Sequence, residues 1–219
     1  MSRAISFSSP ADRVNPRADR LGANAAREAL NLLPIDGEAF LVDQALSPDI
    51  ADQAFADLLE TIDWRQETAA LFGRKIPLPR LTAWYGDGGY AYSGIRHEPA
   101  PMTPALLALK SEAEALSGQG FNSVLINLYR DGRDSMGWHS DDEPVLGDEP
   151  IIASLSLGAT RRFQLKHRHA DERVSLDLAH GSCLVMQGRC QACWRHQLPK
   201  TKKQVLPRIN LTFRRLQSS

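Results

Sequence analysis

The chain has 219 residues and a mass of 24.2 kDa, enough for one domain with a substantial core. Its 26 Lys and Arg balance 26 Asp and Glu, so no global charge draws it to nucleic acid or an anionic membrane; a polyanion would need a local patch. The cysteines Cys183, Cys190 and Cys193 are too few and too clustered for a secreted disulfide framework, which favours a reducing, cytoplasmic setting.

The N-terminal MSRAISFSSPADRVNPRADR has no apolar core of signal-peptide length, and no stretch reaches a bilayer span. Residues 1–35, rich in Ser, Ala, Pro and Arg, read as a partly ordered leader before a single domain over 36–219. A helix is expected from Ser47 to about Ile62, with Ser47 at the cap, Pro48 in the first turn and an apolar stripe of Ile50, Phe55, Leu58, Leu59 and Ile62. In LFGRKIPLPR, 71–80, Leu71 and Phe72 stand beside Arg74 and Lys75, and Arg80 closes the stretch. Such a segment is either an ordinary hairpin with a hydrophobic anchor or an apolar wedge flanked by phosphate contacts. The following PRLTAWYGDGGYAYSG, 79–94, holds Trp84, Tyr85, Tyr90 and Tyr92. These aromatics pack on a neighbouring sheet or offer faces to an extracted, often cationic base.

Thr103 and Pro104 open a second helix, TPALLALKSEAEAL, which Gly118 stops. Beyond residue 120 the period changes to two. In SVLINLYRD, Val124, Ile126 and Leu128 share one strand face and Leu125, Asn127 and Tyr129 the other. IIASLSLGA, VSLDLAHGSCLVM and RINLTFRRL continue in the same style. Short strands without intervening helices predict an antiparallel sandwich or jelly roll, with the two helices packed outside the sheets. RRFQLKHRH (161–169) and the acid-free stretch from Arg195 to Arg215 are strongly basic; they form either a solvated face or a patch for a polyanion. RCQAC lacks the further ligands of a zinc knuckle and the setting of a redox dithiol, and is expected to be a thiol-rich strand or loop.

WHSDDEP, 138–144, is a metal site, an acid/base pair or a charged turn. On an extended segment His139 and Asp141 point to the same side, where an imidazole and a carboxylate can meet one ion. A second histidine, His196, precedes RINLTFR, in which Arg208, Asn210, Thr212 and Arg214 share a strand face. Two arginines there fit a dicarboxylate, since a guanidinium grips a carboxylate bidentately. Two histidines and a carboxylate around ferrous iron leave positions for a bidentate 2-oxo acid and dioxygen.

On these motifs the chain resembles the AlkB family of iron- and 2-oxoglutarate-dependent dealkylating dioxygenases over roughly residues 70–215, and particularly the homologues that repair nucleic acid. The family's H-x-D…H falls on His139, Asp141 and His196, its N-x-Y on Asn127 and Tyr129, and its R-x-N-x-T-x-R on Arg208, Asn210, Thr212 and Arg214. The resemblance implies a mainly β fold, a double-stranded β-helix (jelly roll) with flanking N-terminal helices, and Fe(II) held inside one end by His139, Asp141 and His196. Arg208, Tyr129 and Asn210 would hold the distal carboxylate of 2-oxoglutarate. Asn127 and Arg214 would hold the end next to the metal, and Thr212 would shape the pocket.

Residues 79–94 look like that family's substrate-recognition lid, with Tyr85 and Tyr92 as first candidates for lining a base pocket and Trp84 and Tyr90 beside them. Asp142 or Glu143 would read a base edge or position a substrate-binding arginine. The 71–80 hairpin resembles the element that inserts an apolar residue, here Phe72, into a vacated base stack, with Arg74, Lys75 and Arg80 beside the nucleic acid. The implied activity is oxidative demethylation of 1-methyladenine and 3-methylcytosine in DNA, with dioxygen as cosubstrate, by a monomer without an obligate protein partner or a membrane. Readings left open are an AlkB-like oxygenase acting on RNA or protein, a non-catalytic nucleic-acid-binding module, and a zinc hydrolase using the same His and Asp.

Overall fold

The computed structural model describes residues 29–71, 74–87, 90–92, 95–97 and 99–217, with backbone alone at Ala70, Leu71, Arg74, 90–92 and 95–97. In chain order the elements are β1 (Glu38–Val42), α1 (Pro48–Thr61), β2 (Thr68–Leu71), β3 (Arg74–Pro77), β4 (Leu81–Gly86), β5 (Tyr90–Tyr92) and β6 (Ile95–His97). They continue with α2 (Pro104–Ser117), β7 (Ser123–Tyr129), β8 (Met136–His139), β9 (Ile152–Gly158), β10 (Arg161–His167), β11 (Arg173–Leu178) and β12 (Ser182–Gln187). A single helical turn, α3 (Cys190–Cys193), then leads into β13 (Trp194–Leu198) and β14 (Arg208–Arg214).

Six strands form one antiparallel sheet in the order β1-β12-β9-β14-β7-β4, and four form a second in the order β11-β10-β13-β8. Ile152, Leu184 and Met186 of the larger sheet share one buried cluster with Phe163, Leu165, Trp194 and Leu198 of the smaller, so the sheets pack face to face. This is the expected jelly roll. Both helices cover the opposite face of the larger sheet, where Leu58, Leu106 and Leu109 meet Ile126, Leu155, Val185 and Leu211. Apolar surface on both sides explains why every residue of β7 and β14 is buried.

The expected helices are present. Thr103 caps α2 by accepting from the Leu106 N–H at 3.3 Å, and Gly118 ends it in the left-handed region at φ 70°. Ser47 stands at the N-cap of α1 without a side-chain cap bond. The stripe of α1 differs from expectation: Ala51, Ala54, Leu58 and Ile62 are buried, whereas Ile50 and Leu59 are 43% and 40% exposed. Alanines let the helix lie close to the sheet, and Ile50 and Leu59 sit about 100° off that line. Gly158, at φ 84°, allows the turn from β9 to β10 to pass beneath this helix, where a side chain would strike the Phe55 ring and the Pro207 carbonyl.

RCQAC is a helical turn and not a strand or loop, and Cys183, Cys190 and Cys193 are buried and free. Burial pushes the Cys183 and Cys190 thiols up to about 12, which keeps them protonated and inert. The basic stretches do not form one surface. Alternation turns Arg161, Arg208 and Arg214 into the interior and leaves Arg162 and Arg195 outside. Among the described residues no helix is long and apolar enough to cross a membrane.

Candidate metal centre

The interior of the roll is lined from both sheets. Because β7 and β14 pair with Asn127 opposite Asn210 and Tyr129 opposite Arg208, their polar faces form one surface inside the sandwich. The smaller sheet brings His196 opposite His139 across the β13–β8 pair. The His139 and His196 rings meet edge to face, 4.2 Å between centroids. With the Asp141 carboxylate they place three ligand atoms within 4.8 Å of one another. The H-x-D spacing and the distant histidine therefore converge in space as the sequence predicted.

Each ligand is oriented by a neighbour. Nδ1 of His139 lies 2.8 Å from the Gly137 carbonyl; donating there, it leaves Nε2 as the lone-pair nitrogen for a metal. Phe163 stacks on His196 at 5.4 Å. The Asp141 N–H donates to Gln191 Oε1 at 2.9 Å, and its Oδ1 accepts from Arg214 Nη2 at 2.7 Å, with both side chains 2% exposed. Burial pushes the Asp141 carboxyl up, but the charge and hydrogen bond of Arg214 oppose this and the group is held below its ordinary value, ionised. Burial holds both histidines below their usual value, His196 at about 3, so both are neutral imidazoles. Two neutral imidazoles and one carboxylate with free lone pairs are the donor set of a facial iron triad.

Arg208 lies in the same cavity. It is 2% exposed, donates to Ser156 Oγ at 2.8 Å, stands over the Tyr129 ring at 5.4 Å and leaves Nε without a hydrogen bond. Burial lowers its pKa to about 10, and among the described residues no ion pair offsets its charge. An interior guanidinium of this kind fits a carboxylate guest. Asn210 donates to Ser154 Oγ at 2.8 Å and to the Leu155 carbonyl at 3.1 Å, and Thr212 donates to Asn210 Oδ1 at 3.2 Å. Asn127 accepts from Arg80 Nε at 2.9 Å.

The predicted substrate residues separate. Trp84 faces the cavity side, packed with Leu125 and Leu146 and 5.9 Å from the Arg214 guanidinium. Tyr85 belongs to the opposite face, buried with Ile62, Phe121 and Val124 beneath the helices. Tyr85 is therefore turned away from the metal cavity, although it lines with Trp84, Thr82 and Asp63 a second, separate pocket beside β4. Arg80 is 5% exposed and turned inward to Asn127. Lys75 is exposed on β3. Phe72 and the side chains of Arg74, Tyr90 and Tyr92 lie outside the described residues. Asp142 is held by Arg168 at 2.6 Å, and that guanidinium also donates to Ser140 Oγ at 2.8 Å. Glu143 Oε2 is buried and makes no hydrogen bond among the described residues.

The sequence reading missed Gln191, which anchors the backbone of Asp141, and the inward role of Arg80. Proximity of Gln191 to His196 was its only signal. Asp36, His167 and Cys193 also bring ligand atoms together. There, however, His167 Nδ1 accepts the His169 and Ala170 N–H groups at 3.2 and 2.8 Å, which puts its proton on Nε2, 3.3 Å from Asp36 Oδ2. Asp36 also pairs with Arg189, and Trp194 Nε1 donates to its carbonyl at 3.2 Å. The cluster clasps the segment before β1 to the smaller sheet.

Residues 38–214 match the model of the 2OG-Fe(II) oxygenase superfamily. The chain is 46% identical over 174 residues to the alpha-ketoglutarate-dependent dioxygenase alkB homolog 3 of Homo sapiens, covering 75% of this chain and 61% of that protein. It thus spans about three-fifths of the length of the alkB homolog 3 proteins. To the DNA oxidative demethylase ALKBH2 of Homo sapiens it is 39% identical over 179 residues, covering 76% of this chain and 69% of that protein. The solved structure of OsALKBH1 has the same fold, with a TM-score of 0.61 at 18% identity over 81% of this chain and 97% of the other. A His-Asp-His triad beside an arginine-bearing strand, on a jelly roll matched along nearly its whole length, makes the chain a member of the AlkB family within the Fe(II)- and 2-oxoglutarate-dependent oxygenases.

Proposed function

We propose that the protein oxidatively demethylates N-alkylated bases, 1-methyladenine and 3-methylcytosine, in DNA, consuming dioxygen and 2-oxoglutarate and releasing formaldehyde, succinate and carbon dioxide. His139, Asp141 and His196 hold Fe(II). Arg208, with Tyr129 and Asn210, holds the distal carboxylate of 2-oxoglutarate, Asn127 and Arg214 the end beside the metal, and Thr212 the wall between them. When bound, iron and 2-oxoglutarate supply the oxidation of a C–H bond, and the side chains confine that oxidation to the methyl group of the seated base. The observation that carries this reading is the uncompensated Arg208 in one cavity with the ligand triad.

The names of the relatives, a DNA oxidative demethylase among them, support a nucleic-acid substrate. Trp84 supplies an aromatic face on the cavity side. Of the two acids after the triad, Glu143 is the better base reader: its buried oxygen has no partner among the described residues, whereas Asp142 is engaged by Arg168. Phe72, Arg74 and Lys75 are proposed to meet a duplex, and Tyr90 and Tyr92 the extracted base. We take the protein to act as a monomer in the cytoplasm.

The test is formaldehyde release, with Fe(II), 2-oxoglutarate and ascorbate, from matched 1-methyladenine oligonucleotides as duplex DNA, single-stranded DNA and RNA. Release dependent on both cofactors, and greater from DNA than RNA, is expected. Release from RNA alone would move the substrate to RNA. Uncoupled 2-oxoglutarate decay with no release from any would reject nucleic-acid demethylation while keeping the oxygenase.

A further inference from the structure

The outer face of the smaller sheet carries a cluster that its own fold does not neutralise. Inward-facing His139 and His196 alternate with outward-facing Trp138 and Arg195, so this face lies directly behind two of the metal ligands. Lys166 stands directly opposite Arg195 in the β10–β13 register. Its ammonium lies over the Trp138 ring, 4.4 Å from the centroid. Other cations here have acids: Arg162 reaches Asp177 at 2.6 Å, Arg168 reaches Asp142 at 2.6 Å and Arg173 reaches Asp171 at 3.8 Å. Among the described residues Lys166 and Arg195 have no such partner.

Like charges directly opposite across an antiparallel pair destabilise the sheet, and an acid at either position would remove the cost. Keeping two cations there breaks a local rule of strand pairing, and such breaks are expected where a surface serves a ligand. The aromatic beneath Lys166 narrows the class. A polyanion with flat apolar rings satisfies both components, since phosphates meet the cations while a base or sugar lies on the Trp138 indole. Arg168, just after β10, reaches Asp142, the residue after ligand Asp141, so the basic cluster extends along the chain to the neighbour of a metal ligand.

We propose that Lys166, Arg195 and Trp138 form a docking platform for the nucleic-acid strand that flanks the target base, holding its phosphates on the outside of the sheet whose inside holds the metal. The platform rests on the nucleic-acid reading above and deepens it: recognition extends beyond the extracted base to neighbouring nucleotides. It also places a local patch on a chain of zero net charge. DNA and RNA share the chemistry that the platform reads, so it contributes affinity and register without choosing between them.

The variant for the test is K166Q/R195Q, which removes both charges and relieves their repulsion, so a melting temperature equal to or above that of the native protein is expected. Fluorescence anisotropy with unmethylated single-stranded DNA and RNA oligonucleotides about twenty nucleotides long, at several salt concentrations, reads the platform without relying on turnover. The variant is expected to bind both about tenfold more weakly, with the salt slope smaller by about 1.4, or about 0.7 for each of two lost phosphate contacts. A second variant, W138L, should weaken binding severalfold while leaving the salt slope in place. In parallel, formaldehyde release from a methylated trinucleotide, too short to span platform and cavity, should be the same for K166Q/R195Q and the native protein. Unchanged affinity and slope in K166Q/R195Q would overturn the platform. Absent release from every methylated substrate by native protein that still binds the long oligonucleotides through Lys166 and Arg195 would reject the demethylase reading instead.

Discussion

Strand β14 carries a buried arginine near each end, and the two have different counterparts. Arg214 is held by Asp141 at 2.7 Å, an acid the protein supplies. Arg208 has a serine hydroxyl, an aromatic face and, among the described residues, no carboxylate. Both side chains are 2% exposed, so desolvation alone does not separate them. One guanidinium supports a candidate metal ligand; the other holds a charge that no acid among the described residues offsets, and we propose that its counterpart enters from solution. A single strand thus joins a centre that is internally balanced to one that binding balances.

The strongest break of this contrast is a pair of matched substitutions. Arg208→Met should weaken 2-oxoglutarate binding about a hundredfold, as expected for loss of hydrogen bonds to a charged group worth roughly 3 kcal/mol. The same change should leave the stability of cofactor-free protein unchanged or raised, because it removes an uncompensated buried charge. Arg214→Met instead leaves Asp141 alone in the interior and should cost about 3–5 kcal/mol in urea unfolding. Calorimetric titration of 2-oxoglutarate and urea denaturation read both, and equal destabilisation by the two changes would dissolve the distinction.

Acid offers a second break at the Asp141 end. An unperturbed histidine titrates near 6.5, and burial holds His139 and His196 below that in the folded protein, His196 at about 3. Between these values the unfolded chain binds more protons than the folded one, so stability rises with pH. Metal-free protein should therefore lose stability as pH falls below about 6.5, through His196 down to about 3 at up to about 1.4 kcal/mol per pH unit, with His139 adding in the same direction. Urea midpoints that stay constant between pH 7 and pH 5 in the presence of chelator would contradict the neutral, buried histidines. The Arg208 end contributes nothing in that window.

Gln191 sharpens the comparison with the smallest effect. Its Oε1 receives the Asp141 N–H, so Gln191→Leu should lower metal affinity by roughly tenfold, the low end for partners that orient a ligand. Gln191→Glu, which keeps an acceptor, should recover part of the loss. Cobalt(II) serves as the spectroscopic probe, its visible absorption reporting ligand geometry without turnover. Affinity for 2-oxoglutarate in the metal-free protein should not move in either variant.

Much of this site was legible in the sequence because strand periodicity carries it. Alternation in SVLINLYRD and RINLTFR assigned Asn127, Tyr129, Arg208, Asn210, Thr212 and Arg214 to shared faces, and the register of β7 and β14 joins those faces. The same rule separates Trp84 from Tyr85, which pack in different clusters on the two faces of β4. Arg80 and Gln191 were not legible. Arginine after a proline reads as a surface cation and glutamine beside a cysteine carries no chemistry of its own; only the folded chain brings Arg80 to Asn127 and Gln191 to Asp141. On α1 the apolar residues Ile50 and Leu59 attracted the stripe, but close packing on the sheet selected Ala51 and Ala54.

By itself the sequence determined what nearest-neighbour geometry encodes: two helices and their starts, strands of period two, and a histidine and carboxylate held on one side by a spacing of two. The tertiary structure decided what depends on separation in space. It brought His196 opposite His139 across a strand pair, put Asp141 against Arg214 from distant parts of the chain, and left Arg208 buried without an acid among the described residues. It also divided the basic stretches between an interior that takes a carboxylate and an outer face on which Lys166 opposes Arg195. The physical reason is that side-chain direction along a strand is local, whereas desolvation and charge compensation are properties of everything packed around a group.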